Sequence, residues 1–144
     1  MNNQSESINV RGRVYYLNPP ALHQNPAFTN VVTVTGPVRT IYVGGQNAVD
    51  SSGAIVGRGN FKAQSEQILN NVQAALAAGG AGLEHVVKLN IYVVQGQPLQ
   101  EGFAAFQQIW GDRPNPPAIS VLFVVGLAHP DFLAEMDAIA IVPG

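Results

Sequence analysis

The segment NPPAISVLFVVG, which begins at Asn115, leads two prolines into an apolar run. Residues 118–125 are apolar at odd and even positions alike, apart from Ser120. Successive side chains of a strand point to opposite faces. The run therefore predicts a β-strand that is covered on both faces. Only 11% of the 144 residues are charged, against about 25% in typical soluble domains. Because this leaves few charges for a free-standing surface, we expect the chain to form an oligomer.

Hydrophobic periodicity predicts further strands and two helices around this run. The predicted strands are Arg11–Leu17, a hairpin of Val31–Thr35 and Thr40–Val43 around Gly36-Pro37, Val86–Val94, and the closing segment FLAEMDAIAIV. The first helix is expected to begin behind a cap at Asn60 and to end at Gly79 and Gly80. The second helix is expected to run from about Pro98 to Trp110.

This order of elements predicts an α+β fold in which two helices pack on one face of a mixed β-sheet. Strand parity leaves Lys88, Glu135 and Asp137 on the other face, which we expect to be buried against the sheets of other subunits. We expect residues 1–10 to be a flexible leader and residues 11–144 to form a single domain.

Composition argues against several classes of partner and cofactor. Seven Lys and Arg residues lie scattered in a chain of net charge -2, so a nucleic-acid partner is not expected. The chain has no cysteine and its three histidines lie far apart, so we expect no metal site and no cofactor. No apolar window is long enough to span a membrane and no signal segment is recognisable, which favours a cytoplasmic protein.

Two carboxylates in the last strand are the candidates for chemistry. Glu135 and Asp137 lie two residues apart, so their side chains share one face at a separation of roughly 7 Å. A salt bridge with Lys88 at a subunit interface is the favoured interpretation of Asp137. For Glu135 a salt bridge and a role as general acid, general base or holder of a water are equally supported.

Five sequence blocks together resemble the Rid proteins, a family also called RidA or YjgF and once labelled endoribonuclease L-PSP. The blocks are YVGGQNAVDSSGAIVG, QSEQILNNVQAALAAGGAGLEHVVKLNIYV, FAAFQQIW, NPPAISV and AEMDAIAIV, and the similarity runs from about Asn25 to the end of the chain. The resemblance implies a chorismate-mutase-like α+β fold and a homotrimer with a ligand cleft at each subunit interface. Characterised members hydrolyse reactive enamines and imines to 2-oxoacids and ammonia.

The resemblance also implies roles for individual residues. Gly45 matches a backbone glycine that places the reacting nitrogen or water, and Glu135 matches a glutamate that orients or activates water. Phe28 is expected to line the cleft where relatives commonly use a tyrosine. Gln100 corresponds to an asparagine just ahead of the second helix.

The chain departs from the family pattern at the block Pro-Ala-Ile-Ser. Deaminating members carry an arginine at the position of Ile119, and that arginine binds the substrate carboxylate. A charge-assisted hydrogen bond of this kind contributes roughly 1.5–3 kcal/mol, so its loss should weaken binding of a free 2-imino acid about tenfold or more. Ile119 and Ser120 are expected to line the cleft, and Arg113 is a candidate substitute cation.

Three functional hypotheses follow, and the sequence leaves open whether the protein is an enzyme. In the first, a homotrimer binds a small neutral metabolite and, if it is active, hydrolyses an imine or enamine without a free carboxylate by means of a water held by Glu135. In the second, the trimer is a non-enzymatic metabolite-binding or regulatory module. In the third, it is a 2-iminoacid deaminase in which Arg113 replaces the missing cation.

Overall fold

The computed structural model describes residues 11–144, so the predicted leader 1–10 lies outside the described residues. A short 3-10 helix, Leu83–His85, precedes the fourth strand. The strands are β1 (Arg13–Leu17), β2 (Val31–Thr35), β3 (Val38–Gln46), β4 (Val86–Val94), β5 (Ala118–Val124) and β6 (Ala134–Pro143). The helices are α1 (Phe61–Ala78) and α2 (Leu99–Trp110). None of the helices in this part of the chain is long and apolar enough to cross a membrane.

The main sheet is mixed, with four strands in the order β3-β6-β4-β5. Strand β6 is antiparallel to both of its neighbours, whereas β4 and β5 run parallel. Helices α1 and α2 contact each other and contribute to one buried core with the central strands. The prediction of an α+β fold with two helices packed on a mixed sheet is therefore confirmed.

The predicted hairpin of β2 and β3 is wrong. Strand β2 pairs with β1 in a separate two-stranded sheet, and β3 pairs with β6 from Val38 onward. Gly36 has a φ of 78°, and a Cβ at this position would lie 2.9 Å from the carbonyl oxygen of Arg11. The positive φ of Gly36 permits the bend at which the chain leaves the small sheet, and β3 then pairs with the C-terminal strand β6.

Helix α1 forms for the reasons that the sequence indicates. The Asn60 side chain accepts a hydrogen bond of 3.0 Å from the backbone N–H of Ala63, which satisfies one of the free donors of the first turn. The face toward the sheet is buried and includes Ile68, Leu69 and Val72. At the other end the N–H of Gly79 bonds to the carbonyl of Leu76 and the helix stops.

The face of the main sheet that is turned away from the helices is not covered within one chain. Tyr42 on β3 is 77% exposed and Leu122 on β5 is 46% exposed. Leu122 and Phe123 point to opposite faces of β5 and both are exposed, so the predicted cover on both faces of this strand is not met by this chain alone. Burial of such side chains would stabilise an assembly by roughly 25 cal/mol per Å² of apolar surface.

Candidate functional site

A cavity of about 650 Å³ lies between the two helices, the sheet and the loop of residues 25–28. Its wall is mostly apolar and is aromatic on three sides. Aromatic rings come from the loop, from α1 and from α2, and they are Phe28, Phe61, Phe103, Phe106 and Trp110. Strands β4, β5 and β6 close the base with residues that include Ile91, Ile119, Val121 and Met136. Among the described residues that line the cavity, Glu135 is the only charged one.

Gly45 lies directly against the carboxylate of Glu135. The pairing of β3 with β6 is irregular between Val43 and Gln46, so the two intervening glycines form a bulge. A Cβ on Gly45 would overlap Oε2 of Glu135 and lie 3.0 Å from its carboxyl carbon. The absence of a side chain at Gly45 therefore gives the carboxylate its place beside the backbone.

Asn47 holds the other oxygen of the same carboxylate. Its side-chain amide lies 3.2 Å from Oε1 of Glu135 and 3.2 Å from the carbonyl oxygen of Ala134. The carbonyl of Asn47 accepts a 3.0 Å hydrogen bond from the side chain of Asn71 on α1. Sequence reasoning missed Asn47, and the only available signal was a polar residue that directly follows the glycine pair and Gln46.

Glu135 lies at the boundary between the cavity and the uncovered face of the sheet. It contributes to the cavity lining, and its neighbours Ala134 and Met136 do so as well. On the strand it pairs with Tyr92 of β4, whose side chain belongs to the uncovered face. Glu135 is therefore a residue that the cavity lining shares with the uncovered face.

The proline block positions Phe28 and Ile119 on the same cavity wall. The backbone N–H of Thr29 donates to the carbonyl of Pro117 at 3.1 Å, and the Thr29 hydroxyl donates to the carbonyl of Pro116 at 2.5 Å. These bonds tie the loop that carries Phe28 to the entry of β5. Ile119 follows as the second residue of β5 and lines the cavity with an apolar side chain.

Of the residues predicted for the site, Gly45 lies against Glu135 but outside the cavity lining, and three others do not line the cavity either. Gln100 is exposed on α2, and Phe103 of the same helix lines the cavity instead. Arg113 donates from Nη1 to the carbonyls of Ile109 and Trp110, each at 2.8 Å. These carbonyls belong to the last turn of α2, which attracts cations, so the guanidinium is bound there and not in the cavity.

Ser120, the third of these residues, belongs to a polar row on the uncovered face. Its hydroxyl accepts a 2.8 Å hydrogen bond from Nζ of Lys88, and Asp137 accepts one of 2.8 Å from the side chain of Asn90. Within residues 11–144 neither carboxylate of β6 forms a salt bridge with Lys88. The charge of Asp137, and less strongly that of Glu135, raises the pKa of Tyr92 above its ordinary value of 10.0.

The chain is similar to known proteins in both sequence and fold. The family model of Endoribonuclease L-PSP matches residues 21–142. The RutC family protein slr0709 of Synechocystis sp. is 35% identical over 107 residues, which cover 72% of this chain and 78% of that protein. A crystal structure of the Rid family protein YyfB from Yersinia pestis has a TM-score of 0.78 at 30% identity and covers 88% of this chain and 97% of that one. The structure of E. coli TdcF with bound serine shares the fold, with a TM-score of 0.64 at 22% identity, and covers 71% of this chain and 80% of that one.

Proposed function

Because the chain belongs to the endoribonuclease L-PSP family, which includes the Rid proteins, we propose that it is a cytoplasmic homotrimer that hydrolyses a small imine or enamine without a free carboxylate. Residues 11–144 act as a single Rid domain in this proposal. The observation that carries it is the carboxylate of Glu135, held between Gly45 and Asn47 at the margin of an apolar cavity.

The proposed reaction needs one group that can take and return a proton. Glu135 accepts a proton from a bound water while the water oxygen bonds to the carbon of the C=N group. The electron pair of the C=N bond moves to nitrogen, which takes the proton. Glu135 then takes the hydroxyl proton of the resulting carbinolamine and passes it to nitrogen while the C–N bond breaks, which releases ammonia or an amine and leaves a carbonyl product. Gly45 and Asn47 hold the carboxylate in one orientation throughout.

The substrate is expected to lack a carboxylate because of the residue at position 119. Serine, which TdcF binds, carries a carboxylate that needs a cationic partner. Ile119 offers no donor at the corresponding position, and Arg113 is already bonded to the end of α2. An anion in this cavity would also lie near the negative charge of Glu135. The hypothesis of a 2-iminoacid deaminase with Arg113 as the cation is therefore the least favoured of the three.

The homotrimer is supported by the uncovered face of the main sheet. Large side chains such as Tyr42 and Leu122 are exposed there, and the chain carries few charges. In a trimer with the sheets facing one another, the polar row of Lys88, Asn90 and Asp137 would be enclosed together with these apolar groups.

A non-enzymatic metabolite-binding or regulatory module is the second candidate. It is favoured by the scarcity of polar groups in the cavity, where a single carboxylate at the margin is the only charged residue of the lining that the structure describes. Such a protein would keep the trimer and the cavity without the reaction.

Hydrolysis assays with two classes of imine separate these functions. N-Benzylideneaniline, an uncharged imine, should be hydrolysed faster than in buffer by the wild-type protein and by Gly44→Ala, but not by Glu135→Ala. Glu135→Gln keeps the shape of the side chain and should also be inactive, because an amide cannot accept the proton. Equal rates for wild type and Glu135→Ala would exclude catalysis by Glu135 on this imine and would favour the binding module over the first hypothesis.

A freshly generated 2-imino acid tests the remaining hypothesis. We expect the wild type to leave its rate unchanged and Ile119→Arg to accelerate it. A wild-type rate that disappears in Arg113→Ala would instead establish the deaminase with a substitute cation.

A further inference from the structure

We propose that the cavity binds an uncharged aromatic molecule, with its rings held between α1, α2 and the sheet. This inference names the substrate class of the proposed function and shares its site. It concerns the part of the ligand that lies away from Glu135, and it stands whether or not that carboxylate catalyses a reaction.

The size of the cavity is the first argument. Its volume of about 650 Å³ falls in the range of roughly 300–1,000 Å³ that is typical of sites for drug-sized ligands. A molecule as small as an amino acid would leave most of this apolar space to water, which has few hydrogen-bonding partners there. A ligand with one or two rings would displace that water.

The arrangement of the aromatic side chains is the second argument. Phe106 and Trp110 lie one turn apart on α2, with their ring centroids 5.7 Å apart and their planes at 18°. Phe28 and Phe61 approach the same cavity from the loop and from α1. Planar ligands gain from offset-stacked and edge-to-face contacts with such rings, beyond the burial of apolar area.

The charge of the lining is the third argument. Ile119 removes the one cation that the family pattern would place there, and Glu135 adds a negative charge at the margin. An anionic group inside the cavity would lose its hydration without gaining an ion pair. The lining therefore selects against anions and favours uncharged ligands.

Two fluorescent probes that differ by one sulfonate test the inference. N-Phenyl-1-naphthylamine is uncharged, and 1-anilinonaphthalene-8-sulfonate has the same ring system with an anionic group. We expect the wild-type protein to bind the uncharged probe at least about tenfold more tightly, with a blue-shifted emission. Equal or tighter binding of the sulfonate would overturn the proposal.

Variants on α2 and β5 locate the probe. Phe103→Ala removes an aromatic wall and should weaken binding of the uncharged probe about tenfold, whereas Gln108→Ala, exposed on the same helix and absent from the lining, should leave it unchanged. Ile119→Arg should shift the preference toward the sulfonate, and Ile119→Leu should not. Equal affinities of Phe103→Ala and Gln108→Ala for the uncharged probe would place it elsewhere and refute the proposal, provided that thermal melting shows both variants folded.

Failure of this inference differs from failure of the proposed reaction. If the uncharged probe binds with the expected variant pattern but no imine is hydrolysed, the catalytic proposal fails and the ligand class stands. If an imine is hydrolysed but the probe neither binds in the cavity nor competes with the imine, the ligand class fails and catalysis stands.

Discussion

Replacing Gly45 by alanine should abolish most of the proposed activity without unfolding the protein. The added methyl group would overlap Oε2 of Glu135 and lie 3.0 Å from its carboxyl carbon. The overlap is with the end of a flexible side chain, so the carboxylate rotates away and the backbone stays in place. Neither Gly44 nor Gly45 has a positive φ, and an alanine is therefore compatible with the backbone at both positions.

The magnitude follows from the displacement. Relief of the overlap requires the carboxylate to move by about 1 Å, and a misplacement of this size can lower a rate about 100-fold. The hydrogen bond from Asn47 would be lost as well, at a cost to stability of about 1 kcal/mol. We therefore expect Gly45→Ala to lose about 100-fold in rate while its free energy of unfolding falls by only about 1 kcal/mol.

Gly44→Ala is the matched control, because a Cβ at Gly44 would meet nothing within 4 Å. The assay is the hydrolysis of N-benzylideneaniline by both variants and the wild type, alongside urea unfolding of each. We expect near wild-type rates for Gly44→Ala and a rate near that of Glu135→Ala for Gly45→Ala. Equal activities of the two glycine variants would refute the role assigned to the contact between Gly45 and Glu135.

Three further perturbations test other parts of the structure. Gln64 is fully buried and its side chain accepts a 2.9 Å hydrogen bond from the N–H of Leu133, so Gln64→Leu should lower the free energy of unfolding in urea by about 2–4 kcal/mol. A loss below about 0.5 kcal/mol would show that this hydrogen bond does not stabilise the fold. The pKa of Tyr92 is raised in the folded state, so the unfolded chain ionises first and the free energy of unfolding should fall as the pH rises above 10.0. Ultraviolet titration should give a lower Tyr92 pKa in Asp137→Asn than in the wild type. An unchanged pKa would exclude the Asp137 carboxylate as the cause of the raised value. Leu122→Glu places a charge on the uncovered sheet face and should dissociate the proposed trimer in light scattering, whereas a wild-type protein that is already monomeric would remove the proposal.

Local pattern was sufficient to predict the elements that depend on local interactions. Helix α1 has its cap, its buried face and its glycine stop within one stretch of sequence, and the structure confirms all three. The hairpin prediction failed because strand pairing is not local. Strand β3 pairs with residues near the C-terminus, and neither turn residues nor alternation at Gly36 carry that information.

The residues of the candidate site could likewise be predicted only in part from the sequence. The structure brings Phe28, Ile119 and Glu135 to one cavity within the chain, and these three residues lie in segments that the family resemblance singled out. Asn47 was missed because its contact with Glu135 depends on the bulge in β3, which moves the chain by one residue relative to its partner strand. Arg113 was a candidate because of its position beside the prolines, and sequence alone does not show that the end of α2 binds its side chain.

The hydrogen bond from the Thr29 hydroxyl to the carbonyl of Pro116 joins segments that lie 87 residues apart along the chain. A change in the length or direction of either segment would alter the position of both Phe28 and Ile119. The loop of residues 25–28 and the entry of β5 should therefore determine ligand preference together. A new loop grafted at residues 25–28 would need the matching entry of β5 to keep its own ligand preference.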